Sequence, residues 1–515
     1  MVVQGKVELL SLSGRLKLYA RPGNIVCHPC FAVLLVGLAL AAWLAPYGFP
    51  CPRDDDGWYK NPAAELFQNG RLAIPSAQGF LPRADVAFAT QPPLYQLMLS
   101  GWYRLFGFSL QTTLSFSFTV HLLSALAVSL VTKRLLSDLG ELPKRLVYAT
   151  VLSVGLIHLA NLAYFDRPEE TALLWLWLDV LLLSGVWARL TISAALATGL
   201  LIGLAGLTAL WVGILGLLFV FFRCALVVWG QPKQQWRRAT TRAVYCLCAS
   251  TAVAGLMLFT WYAVWEAAQP GIFADQFFGA LQHLRQNQHL DSLAQRFRAL
   301  RTTILFNPTQ LAATVITIRF FPPLMIARGR QQTTGSALYL AGVIGVIAVL
   351  VFRPRAYTYL GATQMLLLPC FGPAVAVIMH SSQSTARRRL GTTVLIGCVL
   401  LAISHVVDLG RWTWQLPHDQ RQQPAYARLA ELIPPGEPVA VTARHWYVFQ
   451  GRNPWRDAFF SALTSDEEVR HCRWLVLDPS VGIPPFIEHF ERVEVVPTKV
   501  RADRTYAYSV WRRKE

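Results

Sequence analysis

Residues 211–228 read WVGILGLLFVFFRCALVV, an apolar run in which Arg223 is the single charged side chain. At 1.5 Å of rise per residue the run reaches about 27 Å as a helix, close to the thickness of a bilayer's hydrocarbon core. A soluble core does not require such lengths. A bilayer does, because backbone N–H and C=O groups find no water in it. Just upstream stands a second run, Leu190–Leu207, separated only by Thr208, Ala209 and Leu210, so the pair reads as two spans or as one interrupted segment. Working outward, runs of the same kind occupy Phe31–Leu44, Thr112–Val131, Leu146–Ala163, Thr171–Trp187, Val244–Val264, Thr309–Ile326, Ser336–Phe352, Leu360–Ile378 and Thr392–Val407. The expectation is a polytopic α-helical membrane protein with about eleven transmembrane helices. Composition agrees: 54% hydrophobic and 15% charged residues, against about 45–50% and 25% in soluble proteins.

The formal net charge of +18 would suggest nucleic acid if the cations were clustered on a soluble surface. Here they sit between apolar runs: Lys133, Arg134, Lys144 and Arg145 in one connector, Lys233, Arg237, Arg238 and Arg242 in another, Arg387, Arg388 and Arg389 in a third. Basic residues in alternate loops mark the cytoplasmic side, so no nucleic-acid partner is expected and the N-terminus lies inside. The N-terminal 25 or so residues, with Lys6, Arg15, Lys17 and Arg21 and no small-residue cleavage site after the first run, read as a retained first span, not a cleaved signal. Acidic residues fall in the opposite loops: Asp54, Asp55, Asp56, Glu65 and Asp85 in the first, Asp166, Glu169 and Glu170 in the second. Cys27 and Cys30 form a lone CxxC with no second pair, which does not make a metal site.

From about Arg411 the composition is that of a soluble domain. Alternation over Val439–Thr442, Trp474–Leu477, Val493–Val496 and Thr505–Trp511 predicts short strands, and Pro424–Leu432 and Pro485–Phe490 predict helices. A small C-terminal α/β domain, 411–515, is expected outside the membrane, after 1–410 as the transmembrane part.

The first outer loop, residues 51–111, is too long for a mere connector. It opens with three adjacent carboxylates, Asp54, Asp55 and Asp56. Their repulsion calls for a raised pKa or a cationic partner, although an acidic cap ahead of a helix at Pro62 is an equal reading. The second outer loop, 164–170, holds Asp166, Arg167, Pro168, Glu169 and Glu170 against the membrane, where charges face a wet cavity or a partner. Capping the next helix is the plainer role for Glu169 and Glu170.

Asp55-Asp56-Gly57-Trp58-Tyr59 resembles the DE-x-x-Y element of the membrane-embedded GT-C glycosyltransferases, among them protein O-mannosyltransferases and the lipid A aminoarabinose transferase. Gln91-Pro92-Pro93-Leu94-Tyr95 through Arg104-Leu105-Phe106-Gly107 is similar to that family's PPL to LFG stretch, and Asp166-Arg167-Pro168 to its D-x-P element. Arg353, Arg355, Tyr357 and Tyr359 are similar to the family's outer segment near the lipid phosphate. Two departures stand out: Asp56 replaces the usual Glu, and Gln91 stands where relatives often carry Lys or His.

The resemblance implies a GT-C-like fold and transfer of a sugar, with inversion, from a polyprenyl-phosphate donor to a lipid, glycan or protein acceptor at the outer face of the plasma membrane. Asp55 is then the base, with Asp166 sharing or orienting and Asp56 beside it. Arg285, Arg301, Arg353 and Arg355 are candidates for the lipid phosphate, and Tyr59, Gln91, Tyr357 and Tyr359 for substrate contact. Some relatives are metal-dependent, so a divalent cation, Mg²⁺ or Mn²⁺, has Asp54, Asp55 and Asp56 as its candidate ligands. A transporter or flippase of lipid-linked sugars is the competing reading, and a non-catalytic receptor a third.

Overall fold

A computed structural model of the chain describes residues 28–44, 56–77, 81–161, 167–184, 190–287, 301, 308–324, 333–352, 357–380, 385–415, 422–442, 445–457, 470–477, 485–501 and 504–514. Among the described residues, every apolar run marked in the sequence lies mainly on a helix. In chain order the helices are α1 (Pro29–Leu44), α2 (Asp56–Asn69), α3 (Leu94–Phe106), α4 (Leu110–Ser137), α5 (Lys144–Leu159), α6 (Pro168–Ser184), α7 (Ile192–Thr208) and α8 (Leu210–Trp229). They continue as α9 (Trp236–Ala268), α10 (Ile272–Asn287), α11 (Pro308–Phe320), α12 (Thr333–Phe352), α13 (Tyr357–His380) and α14 (Thr385–Gln415). Among the described residues, five segments are long and apolar enough to cross a bilayer: Leu110–Ser137, Leu210–Trp229, Lys233–Ala268, Thr333–Val351 and Tyr359–Met379. The chain is therefore a multi-pass membrane protein.

One continuous core runs through the bundle, with Trp177, Phe219, Phe321 and Phe371 wholly enclosed. The outer sides of the helices present Leu200, Leu256, Phe259 and Val351 instead of polar residues, as lipid contact requires. Between α7 and α9 the backbones come close because α7 offers no side chain there. A Cβ on Gly199 would stand 2.7 Å from the Ser250 carbonyl, and one on Gly203 would meet Met257 Sδ at 2.4 Å. The Ser250 hydroxyl donates across the same seam to the Ala195 carbonyl at 2.9 Å. Small residues and an interhelical hydrogen bond do here what apolar burial cannot do between helices in lipid. The link expected over Thr208, Ala209 and Leu210 is shorter still: α7 ends at Thr208 and α8 starts at Leu210, with Ala209 alone between them.

Near the C-terminus, α15 (Gln422–Leu432) and the short α16 (Trp446–Phe449) accompany five strands: β1 (Val439–Val441), β2 (Trp455–Asp457), β3 (Trp474–Leu477), β4 (Phe490–Arg501) and β5 (Arg504–Arg513). The sheet order is β2-β1-β3-β5-β4, with β1 parallel to both neighbours and β5 antiparallel to β3 and β4. β1 and β3 are buried at every residue. They are unbroken apolar stretches buried on both faces, and not the alternating half-buried strands expected from the sequence. The core of this sheet does not stop at residue 411: Ala63, Ala64, Tyr95 and Leu99 of α2 and α3 share one cluster with Val439, Trp446 and Tyr508.

Two features differ from the sequence expectation. A helix at Pro62 was expected, yet α2 starts at Asp56 and carries Pro62 inside it. The lost backbone hydrogen bond is outweighed by burial of the turns around it, where Ala63 and Ala64 are fully enclosed. β2 was not expected, because three residues, Trp455–Asp457, are too few to show alternation.

Candidate active site

Among the described residues, the first loop meets the second where Tyr59 and Arg167 touch. The Arg167 guanidinium donates to the Tyr59 hydroxyl at 2.5 Å and lies over the Tyr59 ring, 4.7 Å from its centroid. Arg167 also pairs with Glu169, Nε to Oε2 at 3.2 Å, and both side chains are at least nine-tenths buried. The planar fork of Arg serves two partners and an aromatic face at once, which Lys cannot do. Tyr59 comes from α2 and Arg167 immediately precedes α6, so the contact joins the DE-x-x-Y-like and D-x-P-like segments.

Two neutral amides hold this outer layer in place. Gln276 of α10 is fully buried. It accepts from the Ala89 N–H at 2.7 Å and donates to the carbonyls of Ala87 at 2.8 Å and Pro82 at 3.0 Å, so the first loop is stitched to α10. Arg83, at φ 56°, reaches the same helix start by donating to the Gln269 side chain and the Pro270 carbonyl. Gln450 stitches the C-terminal sheet to α2. Its carbonyl accepts from Asn61 at 2.6 Å and Trp455 at 2.9 Å, and its amide donates to Glu65 at 3.0 Å and Gln68 at 2.9 Å. Beside it lies a cavity of about 680 Å³, with Asn61, Glu65, Trp455 and Arg456 in its wall.

At the loop ends of α5 and α6, three buried side chains converge. Glu170 Oε1 lies 2.8 Å from His158 Nε2 and 3.3 Å from His121 Nδ1, and the two imidazoles stack with centroids 4.9 Å apart. Glu170 is thus turned into the protein and pairs with imidazoles, whereas capping the next helix was the plainer role expected of it. His121 and His158 sit inside apolar runs and carried no local motif, so the sequence reading passed over them.

Of the candidate residues, Asp54, Asp55, Asp166, Arg353 and Arg355 lie outside the described residues. Asp56 begins α2, Arg285 lies on α10 and Tyr357 begins α13, with their side chains outside the described part. Arg301 is exposed, Gln91 is half-buried in a bend just before α3, and Tyr359 is half-buried with its ring edge-on to Trp211 at 6.3 Å. The structure thus brings Tyr59 to the second loop and places Arg285 on the helix that holds the first loop. It sets Tyr359 against α8.

No family model matches the chain, and no curated protein matches it in sequence. Solved structures do match. ArnT from Cupriavidus metallidurans in the apo state superimposes with a TM-score of 0.58 at 14% identity, covering 93% of this chain and 97% of ArnT. The same protein bound to undecaprenyl phosphate gives a TM-score of 0.57 at 14% identity over the same shares. The Archaeoglobus fulgidus oligosaccharyltransferase in its apo form gives 0.51 at 12% identity, covering 87% of this chain and 69% of its own. The chain has the fold of these membrane-embedded glycosyltransferases, the fold that its loop motifs resemble.

Proposed function

We propose that the chain transfers a sugar from a polyprenyl-phosphate-linked donor to a lipid, glycan or protein acceptor at the outer face of the membrane. The observation that carries this reading is the Tyr59–Arg167 contact. Asp166 precedes Arg167 by one peptide bond and Asp55 stands one residue before α2, so a clasp between these segments suits a pair of carboxylates that work on one substrate. The likeness to ArnT, whose structure binds undecaprenyl phosphate, supports the donor class. The neighbouring oligosaccharyltransferase also occurs with dolichol-phosphate and an inhibitory peptide, which keeps a peptide among the acceptors.

The step is a single displacement with inversion. The acceptor oxygen bonds to the anomeric carbon, its proton passes to Asp55, and the bond from that carbon to the phosphate oxygen breaks, leaving polyprenyl phosphate with the electron pair. Asp166 orients the acceptor or shares the base role, and Asp56 shapes the field around Asp55. The leaving phosphate needs cationic partners, for which Arg353, Arg355, Arg285 and Arg301 are the candidates. Tyr59, Gln91, Tyr357 and Tyr359 are the candidates for substrate contact. Asp54, Asp55 and Asp56 are the residues that would hold a divalent cation, Mg²⁺ or Mn²⁺, which would supply positive charge to the leaving phosphate. The N-terminus is inside, the C-terminal unit from 411 is outside, and all eleven runs cross.

The test is Asp55→Asn in purified protein. A lost general base lowers transfer by about 10²–10⁴-fold, with yield and membrane insertion unchanged. Wild-type transfer by that variant refutes Asp55 as base. Movement of the lipid-linked sugar across sealed vesicles without glycosidic product would establish the flippase reading instead.

A further inference from the structure

We propose that His121, His158 and Glu170 form a site for one divalent transition cation of the zinc type, separate from the Asp54–Asp56 loop. The three side chains come from α4, α5 and α6, and one ligand atom from each lies within 4.8 Å of the others. All are buried: His158 is wholly enclosed, His121 is 3% exposed and Glu170 is 2% exposed.

Proton counting makes the site ask for a cation. His121 Nε2 lies 3.3 Å from the Leu159 carbonyl, which can only accept, so Nε2 carries the hydrogen. In a neutral ring Nδ1 is then a lone pair, and it faces Glu170 Oε1 at 3.3 Å. Two acceptors at that separation in an enclosed site repel unless a proton or a metal ion stands between them, and the metal ion also engages His158 and, through a bound water, the second carboxylate oxygen at once. A tetrahedral zinc with donors at about 2.0–2.1 Å spaces them about 3.3–3.4 Å apart, as observed for this pair. The His158 Nε2 to Oε1 distance, 2.8 Å, has to open by about 0.5 Å to meet the same geometry. Glu170 Oε2 is buried with no hydrogen-bond partner, which leaves it to bond a water in the ion's fourth position. The hydrogen bond from His121 Nε2 to a backbone carbonyl is the outer contact that fixes a ligating imidazole's tautomer. Imidazole with carboxylate suits zinc and its neighbours better than magnesium.

Position gives the ion a task. His158 is the second-last residue of α5, Glu170 the third of α6, and Arg167 stands three residues before Glu170. An ion there ties three helices together beneath the second loop.

The protein is purified from membranes without chelator, and its bound metal is measured. The expected result is about one transition-metal ion per chain. His121→Ala and Glu170→Gln should lose it, whereas Asp55→Asn should keep it. Exchange with Co²⁺ should give the visible absorption of four-coordinate cobalt, absent from both variants. If His121→Ala does not accumulate, His158→Gln serves in its place. The proposal is overturned if wild-type protein neither retains nor takes up zinc or cobalt. It is equally overturned if the ion survives in the histidine variants and disappears in Asp55→Asn. Because metal content is the readout, a failure here is distinct from failure of the transferase reading.

Discussion

Replacing Gln450 with leucine should loosen the C-terminal sheet from α2. The substitution removes four hydrogen bonds made by one amide. Gln68 is exposed and recovers a partner from water. Asn61 Nδ2, Glu65 Oε1 and Trp455 Nε1 bear the loss, on residues only 1%, 7% and 8% exposed, because Ser76 bonds the Asn61 oxygen and not its nitrogen. Leaving each without a partner costs about 1–3 kcal/mol, so roughly 3–9 kcal/mol in a dry interface. The adjoining cavity, in whose wall all three residues lie, admits water and brings the cost to the low end, about 3 kcal/mol. At about 1.4 kcal/mol per tenfold, amides that exchange through this opening should do so roughly 100-fold faster. Hydrogen–deuterium exchange with peptide mass analysis reads this directly over α2, β1, α16 and β2. Adding Glu65→Leu should recover part of the loss by removing the other partner. Less than a threefold change in those peptides, or an equal rise in α12 and α13, would refute the argument.

Other expectations concern the loops and the bundle. Arg167→Lys keeps the charge but loses the fork that serves Tyr59 and Glu169, so transfer should fall by at least about tenfold with the protein still folded, measured with purified enzyme. Gln276→Ala orphans the buried Ala89 N–H, at a cost of about 1–3 kcal/mol, and faster exchange over residues 82–89 is the measurement. Gly199→Val should place its branches against the Ser250 carbonyl and sharply reduce the folded yield recovered from membranes. On the surface, Arg428 hydrogen-bonds Glu494 and so holds that carboxyl below its usual range. Its small contribution is present above the ordinary pKa of about 4.3 and is lost as pH falls through the lowered value, so Glu494→Gln should lower the melting temperature only slightly, and by the same amount at pH 6 and at pH 8.

The helices were legible because the bilayer forces long apolar runs, and nothing else in 211–228 competes with that reading. The outer loops were legible in part, since carboxylates beside Pro, Trp and Tyr make local patterns that a sequence displays. What holds them was hidden. Gln276 and Gln450 are neutral amides whose worth lies in the backbone and side-chain groups they meet far along the chain. His121 and His158 look like polar interruptions of apolar helices until packing sets them on Glu170. Pro62 marked a helix start by its own chemistry, but burial of its neighbours carried the helix past it.

The order of the strands has a consequence for biosynthesis. β5 lies between β3 and β4, although it is the last of the five to be translated. Until it arrives, β3 has an open edge and β4 has no partner. The helix α2, made near the start of the chain, packs on the core to which Tyr508 and Val510 of that strand belong. The outer loops therefore acquire their full support only when synthesis has reached residue 513. A chain halted earlier would have its helices but would leave the buried faces of α2 and α3 without the sheet they pack on.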